Sequence, residues 1–128
     1  MALTKPATLL FDNITLVGRE YSDASAGVDL TTAVDFAIGY RLTFNASSAI
    51  GVTVFMFSDP SGSDINFTAA ASDNPADQCP ISGGGTSQGK TVASTYRMDH
   101  SGKYVKFRVY NHDSVSVTNF SLWAIPQK

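Results

Sequence analysis

At 128 residues, with one cysteine and a formal net charge of −2, the chain suits a single domain with its own core. It cannot form an intrachain disulfide or a cysteine-built zinc cluster, and it carries no global field that would draw a nucleic acid. Charged residues make up only 16% of it and Glu20 is its one glutamate, while Phe, Tyr, Val and Thr are abundant, so strand formers replace helix builders.

Residues 1 to 8 lack periodicity and contain Pro6, which predicts an N-terminal arm or edge segment. Leu9 to Val17 reads as a first strand with a bend at Asp12-Asn13, Arg19 to Gly27 as polar turns, and Val28-Asp29-Leu30 as a short strand. In Asp35 to Phe44, the residues Phe36, Ile38, Tyr40, Leu42 and Phe44 fall on every second position, placing all five on one face of a β-strand. Asn45-Ala46-Ser47-Ser48 then turns the chain into Ile50 to Ser58, and the two long strands are expected to form a hairpin. Asp59-Pro60-Ser61-Gly62 has turn chemistry, and Ile65, Phe67 and Ala69 mark a strand over Asp64 to Ala70.

Ala71 to Gly89 is dense in Ser, Gly, Asp and Pro and is expected to be one long loop. Lys90 to Met98 and Lys103 to Tyr110 alternate again, separated by a turn at Asp99-His100-Ser101-Gly102, and Asn111-His112-Asp113 leads into Val115 to Ile125. Val115 and Val117 share one phase there, whereas Phe120, Leu122 and Ala124 share the other, so a β-bulge near Thr118-Asn119 is required. Seven or eight strands with short turns predict an all-β fold, an antiparallel two-sheet β-sandwich of jelly-roll type over residues 9 to 128. No helix beyond a turn or two is expected.

Gly84-Gly85-Thr86-Ser87-Gln88-Gly89-Lys90-Thr91 matches the phosphate-cradling P-loop pattern in full. That chemistry needs a buried strand before the loop and a helix after it. Here Asn74 to Pro80 does not read as a strand and Thr91 onward is β-like, so a surface loop is expected. Asp99-His100 and His112-Asp113 fall in two predicted turns that could meet at a divalent metal, but hairpin turns ordinarily use the same residues. Ser residues are many, yet no Gly-x-Ser-x-Gly elbow is present, and Cys79 has no neighbouring base to activate it. No catalytic residue, cofactor or metal site is predicted.

With Val105, Phe107 and Val109 facing the core, Tyr104, Lys106, Arg108 and Tyr110 fall on the opposite face. Such a stripe can cover a partner's backbone, stack on sugar rings or simply pair across strands. These four residues are the candidate interaction surface. Acidic residues from Glu20 to Asp77 precede a cluster formed by Lys90, Arg97, Lys103, Lys106 and Arg108, an asymmetry that could orient subunits against one another. Trp123 is the only tryptophan, and its place beside the expected bulge leaves its direction open. No window nears the roughly 18 successive apolar residues of a membrane span, and Met1-Ala2-Leu3-Thr4-Lys5-Pro6 has no secretory core, so neither membrane nor export is expected. Asn13, Asn45, Asn66 and Asn119 begin sequons that read as by-products of a Ser/Thr/Asn-rich chain.

Two stretches carry a family likeness: Ser25 to Phe36, with its Val28-Asp29-Leu30-Thr31, and Gly102 to Asn111 with its Arg108-Val109-Tyr110-Asn111, continued by Ser121 to Ala124. The chain resembles the small all-β virion proteins of tailed bacteriophages. The resemblance implies a structural capsid decoration or auxiliary protein without enzymatic activity, located in the virion. It also implies an oligomer, with a major capsid or other virion protein as partner. The exposed edges and faces of a sandwich with only 16% charged residues predict a homo-oligomer, with a trimer expected at a local threefold axis. The alternative is a carbohydrate-binding module or receptor-binding tip in which the Tyr104/Tyr110 stripe or the long loop holds a glycan.

Overall fold

The computed structural model describes residues 7–99 and 103–127. Within them eight strands form two four-stranded antiparallel sheets and the remaining helical element is a short 3-10 turn, Gly85–Ser87. The strands are β1 (Thr8–Leu16), β2 (Val28–Asp29), β3 (Asp35–Thr43), β4 (Gly51–Ser58), β5 (Asp77–Ser82), β6 (Thr91–Arg97), β7 (Tyr104–Asn111) and β8 (Val117–Gln127). Sheet A runs β1-β8-β3-β6 and sheet B runs β2-β7-β4-β5. The pairs β1·β8, β2·β7, β3·β6 and β4·β5 are those of one long hairpin whose tip lies between β4 and β5. Rolled up, that hairpin places successive pairs alternately in the two sheets, the eight-stranded jelly-roll wind. Of the expected N-terminal arm, residues 1–6 lie outside the described residues, as do His100, Ser101 and Gly102; Thr8 already belongs to β1.

The core is built by the predicted alternation. Phe36, Ile38, Leu42 and Phe44 from the β3 region meet Val52, Val54 and Met56 of β4 and Val105, Phe107 and Val109 of β7, all buried. The Phe36 and Phe107 rings lie 6.0 Å apart across the two sheets. Non-polar burial on this scale, at about 25 cal/mol per Å² removed from water, is the main term holding the sheets together. Both expected irregularities are present. Asn13 is left-handed at φ 49°, with register breaks in the β1–β8 ladder on either side. Asn119 is left-handed at φ 54°, where the β3–β8 register shifts, so Val117 and Phe120 are both fully buried despite their opposite phases.

Three expectations are corrected. β3 and β4 do not form a hairpin: they belong to opposite sheets, and residues 44–50 cross between them. Asp64 to Ala70 is not a strand, because the Asp59 carboxylate accepts bonds from the backbone N–H groups of Ser61, Ser63 and Asp64, and Asp64 accepts one from Asn66. Local side chains thus take the donors that a ladder would need. Ala71 to Gly89 is not one loop but contains β5, which pairs with β4 from Gly51↔Ser82 to Met56↔Asp77 and buries Cys79 and Ile81. Pro80 hides this strand from a sequence reading, yet a proline is tolerated on a sheet edge, where β5 lies.

Candidate functional site

On the outer face of sheet B the predicted stripe keeps its phase. Tyr104, Lys106, Arg108 and Tyr110 alternate with buried Val105, Phe107, Val109 and Asn111. All four are half-buried, and over three of them the molecule's own chain supplies contacts. Arg108 donates from Nε to the carbonyl of Ala69 and from a terminal nitrogen to that of Ser22 at 2.9 Å. Lys106 Nζ sits 5.5 Å from the centre of the Phe67 ring. Tyr110 packs against Tyr21 with tilted rings 4.7 Å apart and meets His112 edge-on at 4.9 Å. Lys106, Arg108 and Tyr110 therefore have partners within their own chain while keeping part of their surface exposed.

The segment doing this covering is sewn to β7. Ser22 N–H donates to Val109 O and the Ser22 hydroxyl accepts from Val109 N–H; Ser25 repeats the arrangement with Phe107. Two serine side chains stand in for a strand's carbonyls, which seals the β7 edge beyond the two residues of β2. Beside it a groove of about 350 Å³ is lined by Phe11, Ile14, Val17, Glu20, Tyr21 and Asp23.

At the described loop end, His112 and Asp113 are engaged within the chain. His112 bonds Thr53 Oγ1 through Nε2 at 2.8 Å. Asp113, only 6% exposed, accepts the N–H groups of Ala49, Ile50 and Gly51 at 2.9–3.0 Å. Burial pushes the Asp113 carboxyl upward, but those three donors and neighbouring His112 outweigh it and hold the group below its ordinary range. Gly51, at φ 118°, is required here, since a Cβ would lie 2.0 Å from Ile81 O. No cluster of three or more potential metal ligands occurs among the described residues.

Residues 84–91 likewise do not make a phosphate cradle: antiparallel β5 precedes the loop, a three-residue 3-10 turn occupies it, and β6 follows. The loop is packed instead, with Gln88 Nε2 bonding Ser48 O at 2.7 Å and Gly84 against Ala49. Cys79 is buried, and desolvation, with Asp77 nearby, pushes its thiol up to about 11, which leaves it unreactive.

Sheet A's outer face differs. The register places Leu9, Trp123, Gly39 and Thr95 in one row across four strands, with Ala37 and Ile125 paired in the next. Leu9 is 47% exposed and the Trp123 and Ile125 side chains are half-buried around Gly39, which adds no side chain of its own. This apolar patch is the surface that reading the sequence missed. The available signal was the bulge: with Phe120, Leu122 and Ala124 inward, Trp123 and Ile125 must point out.

No family model matches the chain and no curated protein matches it. One similar solved structure comes from the study "Bacillus endospore appendages form a novel family of disulfide-linked pili", with 9% identity, a TM-score of 0.44, and coverage of 96% of this chain and 89% of that one. A likeness this distant identifies neither a family nor an activity.

Proposed function

We propose that the protein is a structural virion component, a decoration or auxiliary subunit that works by covering surface rather than by chemistry. The observation that carries this reading is the partly exposed apolar row of sheet A, with exposed Leu9 beside half-buried Trp123 and Ile125, on a chain with only 16% charged residues. Apolar surface of this kind on a weakly charged sandwich calls for a partner. Jelly rolls serve in viral capsids and in lectins alike, so the fold agrees with the reading by analogy only. The partner is a major capsid or other virion protein, with self-association on the particle.

Co-sedimentation with assembled head and tail particles of tailed bacteriophages tests the reading. Saturable binding that Trp123→Thr abolishes is expected. A folded wild type that never sediments with head or tail particles overturns it. A glycan is the second reading, favoured by Tyr21, 43% exposed at the groove that Glu20 and Asp23 also line. Specific binding on a glycan array, lost in Tyr21→Ala, would select it.

A further inference from the structure

We infer that β6 is a docking edge for β6 of a second copy of this chain, joining two sheets A into one across a two-fold axis. The other sheet edges are each blocked by a recognisable device. β1 carries the left-handed Asn13 and broken register. The β7 edge is sewn to residues 21–25 through Ser22 and Ser25. On β5, Gly83 N–H donates to Ile50 O, so odd-numbered residues face β4 and Pro80 lies in the outward phase, removing a donor from the middle of the free edge. Bulges, covering segments and prolines are how sheet edges are kept from pairing.

β6 has none of these. It is seven residues long, Thr91 to Arg97, unbroken in its ladder with β3 and free of proline and glycine. Its one charged residue, Arg97, is answered within the same subunit by Asp35 at 2.8 Å. Lys90 O accepts from Phe44 N–H and Met98 N–H donates to Phe36 O, so even-numbered residues turn their backbone groups to β3. Thr91, Ala93, Thr95 and Arg97 therefore turn theirs outward, where no described strand pairs with them. A long 3.4 Å contact from the Ser94 hydroxyl reaches the Thr95 carbonyl.

A second copy fits this edge because the strand complements itself. An antiparallel register centred on Ser94 places Thr91 opposite Arg97 and Ala93 opposite Thr95, so that every outward residue meets an outward residue. Val92 then faces Tyr96 of the other copy on the inner side, a β-branched–aromatic pair of the favourable kind, and no like charges are opposed. Tyr96 lies in the inward phase yet is 38% exposed, and this pairing covers it. One strand pair is a small interface, so association is expected to be weak in solution and to gain from a particle that gathers copies. The contact is isologous: by itself it closes as a dimer, and a threefold arrangement would need a different surface. It does not depend on which particle the protein covers.

Sedimentation of the full chain over a range of concentrations, together with two kinds of variant, tests the contact. Thr95→Pro removes an outward N–H without touching the β3 ladder, and it is expected to weaken self-association at least about tenfold while the circular dichroism spectrum and thermal midpoint hold. Ser94→Cys places the new thiol opposite itself at a non-hydrogen-bonded position, where Cα atoms are about 4.5 Å apart and a disulfide can close. Thr91→Cys would put the two thiols about 20 Å apart in the same register. Rapid oxidation of Ser94→Cys to a covalent dimer, with Thr91→Cys lagging, is the expected result. A folded Thr95→Pro that associates as the wild type does, or equal or absent cross-linking of the two cysteine variants, overturns the proposal. Should Thr95→Pro not fold, the cysteine pair decides alone.

Discussion

The two outer faces of this sandwich come from the same strand alternation but end in opposite states. Over sheet B, residues 21–25 and 67–69 fold back so that Arg108, Lys106 and Tyr110 find partners in their own chain. On sheet A, Leu9 is exposed and Trp123 and Ile125 are half-buried around Gly39. Three of the four residues in the charged and aromatic stripe thus have partners in their own chain. The apolar row around Gly39 keeps part of its surface exposed instead. Polar side chains reach for nearby backbone groups whenever a loop passes over them, whereas an apolar face offers a loop no hydrogen bonds to settle on.

The sharpest way to break this contrast is Arg108→Glu. It removes two bonds to carbonyls and sets a carboxylate against them, so a loss of about 2–4 kcal/mol is expected in denaturant unfolding. An unchanged midpoint would show that the sheet B face is open after all. Asp113→Asn comes next, at about 1–3 kcal/mol, because an amide cannot accept from Ala49, Ile50 and Gly51 with both of its atoms. A loss confined to activity on particles, with no loss of stability, would contradict the anchoring role given to Asp113.

Acid should act through the same anchors. The Ser61 hydroxyl and the N–H groups of Asp64, Ser63 and Ser61 bring the Asp59 carboxyl down to about 2, and Asp113 is also lowered. Both groups bind protons less readily folded than unfolded, where an aspartate titrates near about 3.9. Their contribution is therefore complete above about pH 4 and is lost as the pH falls toward about 2. Urea midpoints that do not drop across that window would refute it.

On sheet A the expected pattern reverses. Trp123→Thr should cost about 1 kcal/mol or less, since the ring is only half-buried and threonine suits a strand, yet it should abolish particle binding. Comparable loss of binding in the milder Lys106→Ala variant would move the interface to sheet B. That variant removes an ammonium near the Phe67 ring and should change stability by only about 0.5 kcal/mol, close to the limit of an unfolding titration.

The sequence by itself determined the all-β class, the long strands and both bulges, because period-two alternation and a phase break are local properties of the chain. Phe36 to Phe44 could be read in isolation, and so could the shift between Val117 and Phe120. Which strand pairs with which was not local: β3 and β4 are neighbours in sequence and lie in different sheets, since the jelly-roll roll-up sets partners by distance from the hairpin tip. Only the tertiary structure decided that Asp59 would consume the donors of residues 61–64, that β5 would form around Pro80 at a sheet edge, and that the loops would close over Arg108 while Trp123 stays half-buried on the other sheet. Each of those outcomes depends on what a side chain meets from a distant part of the chain, and that is settled by packing rather than by the pattern of its neighbours.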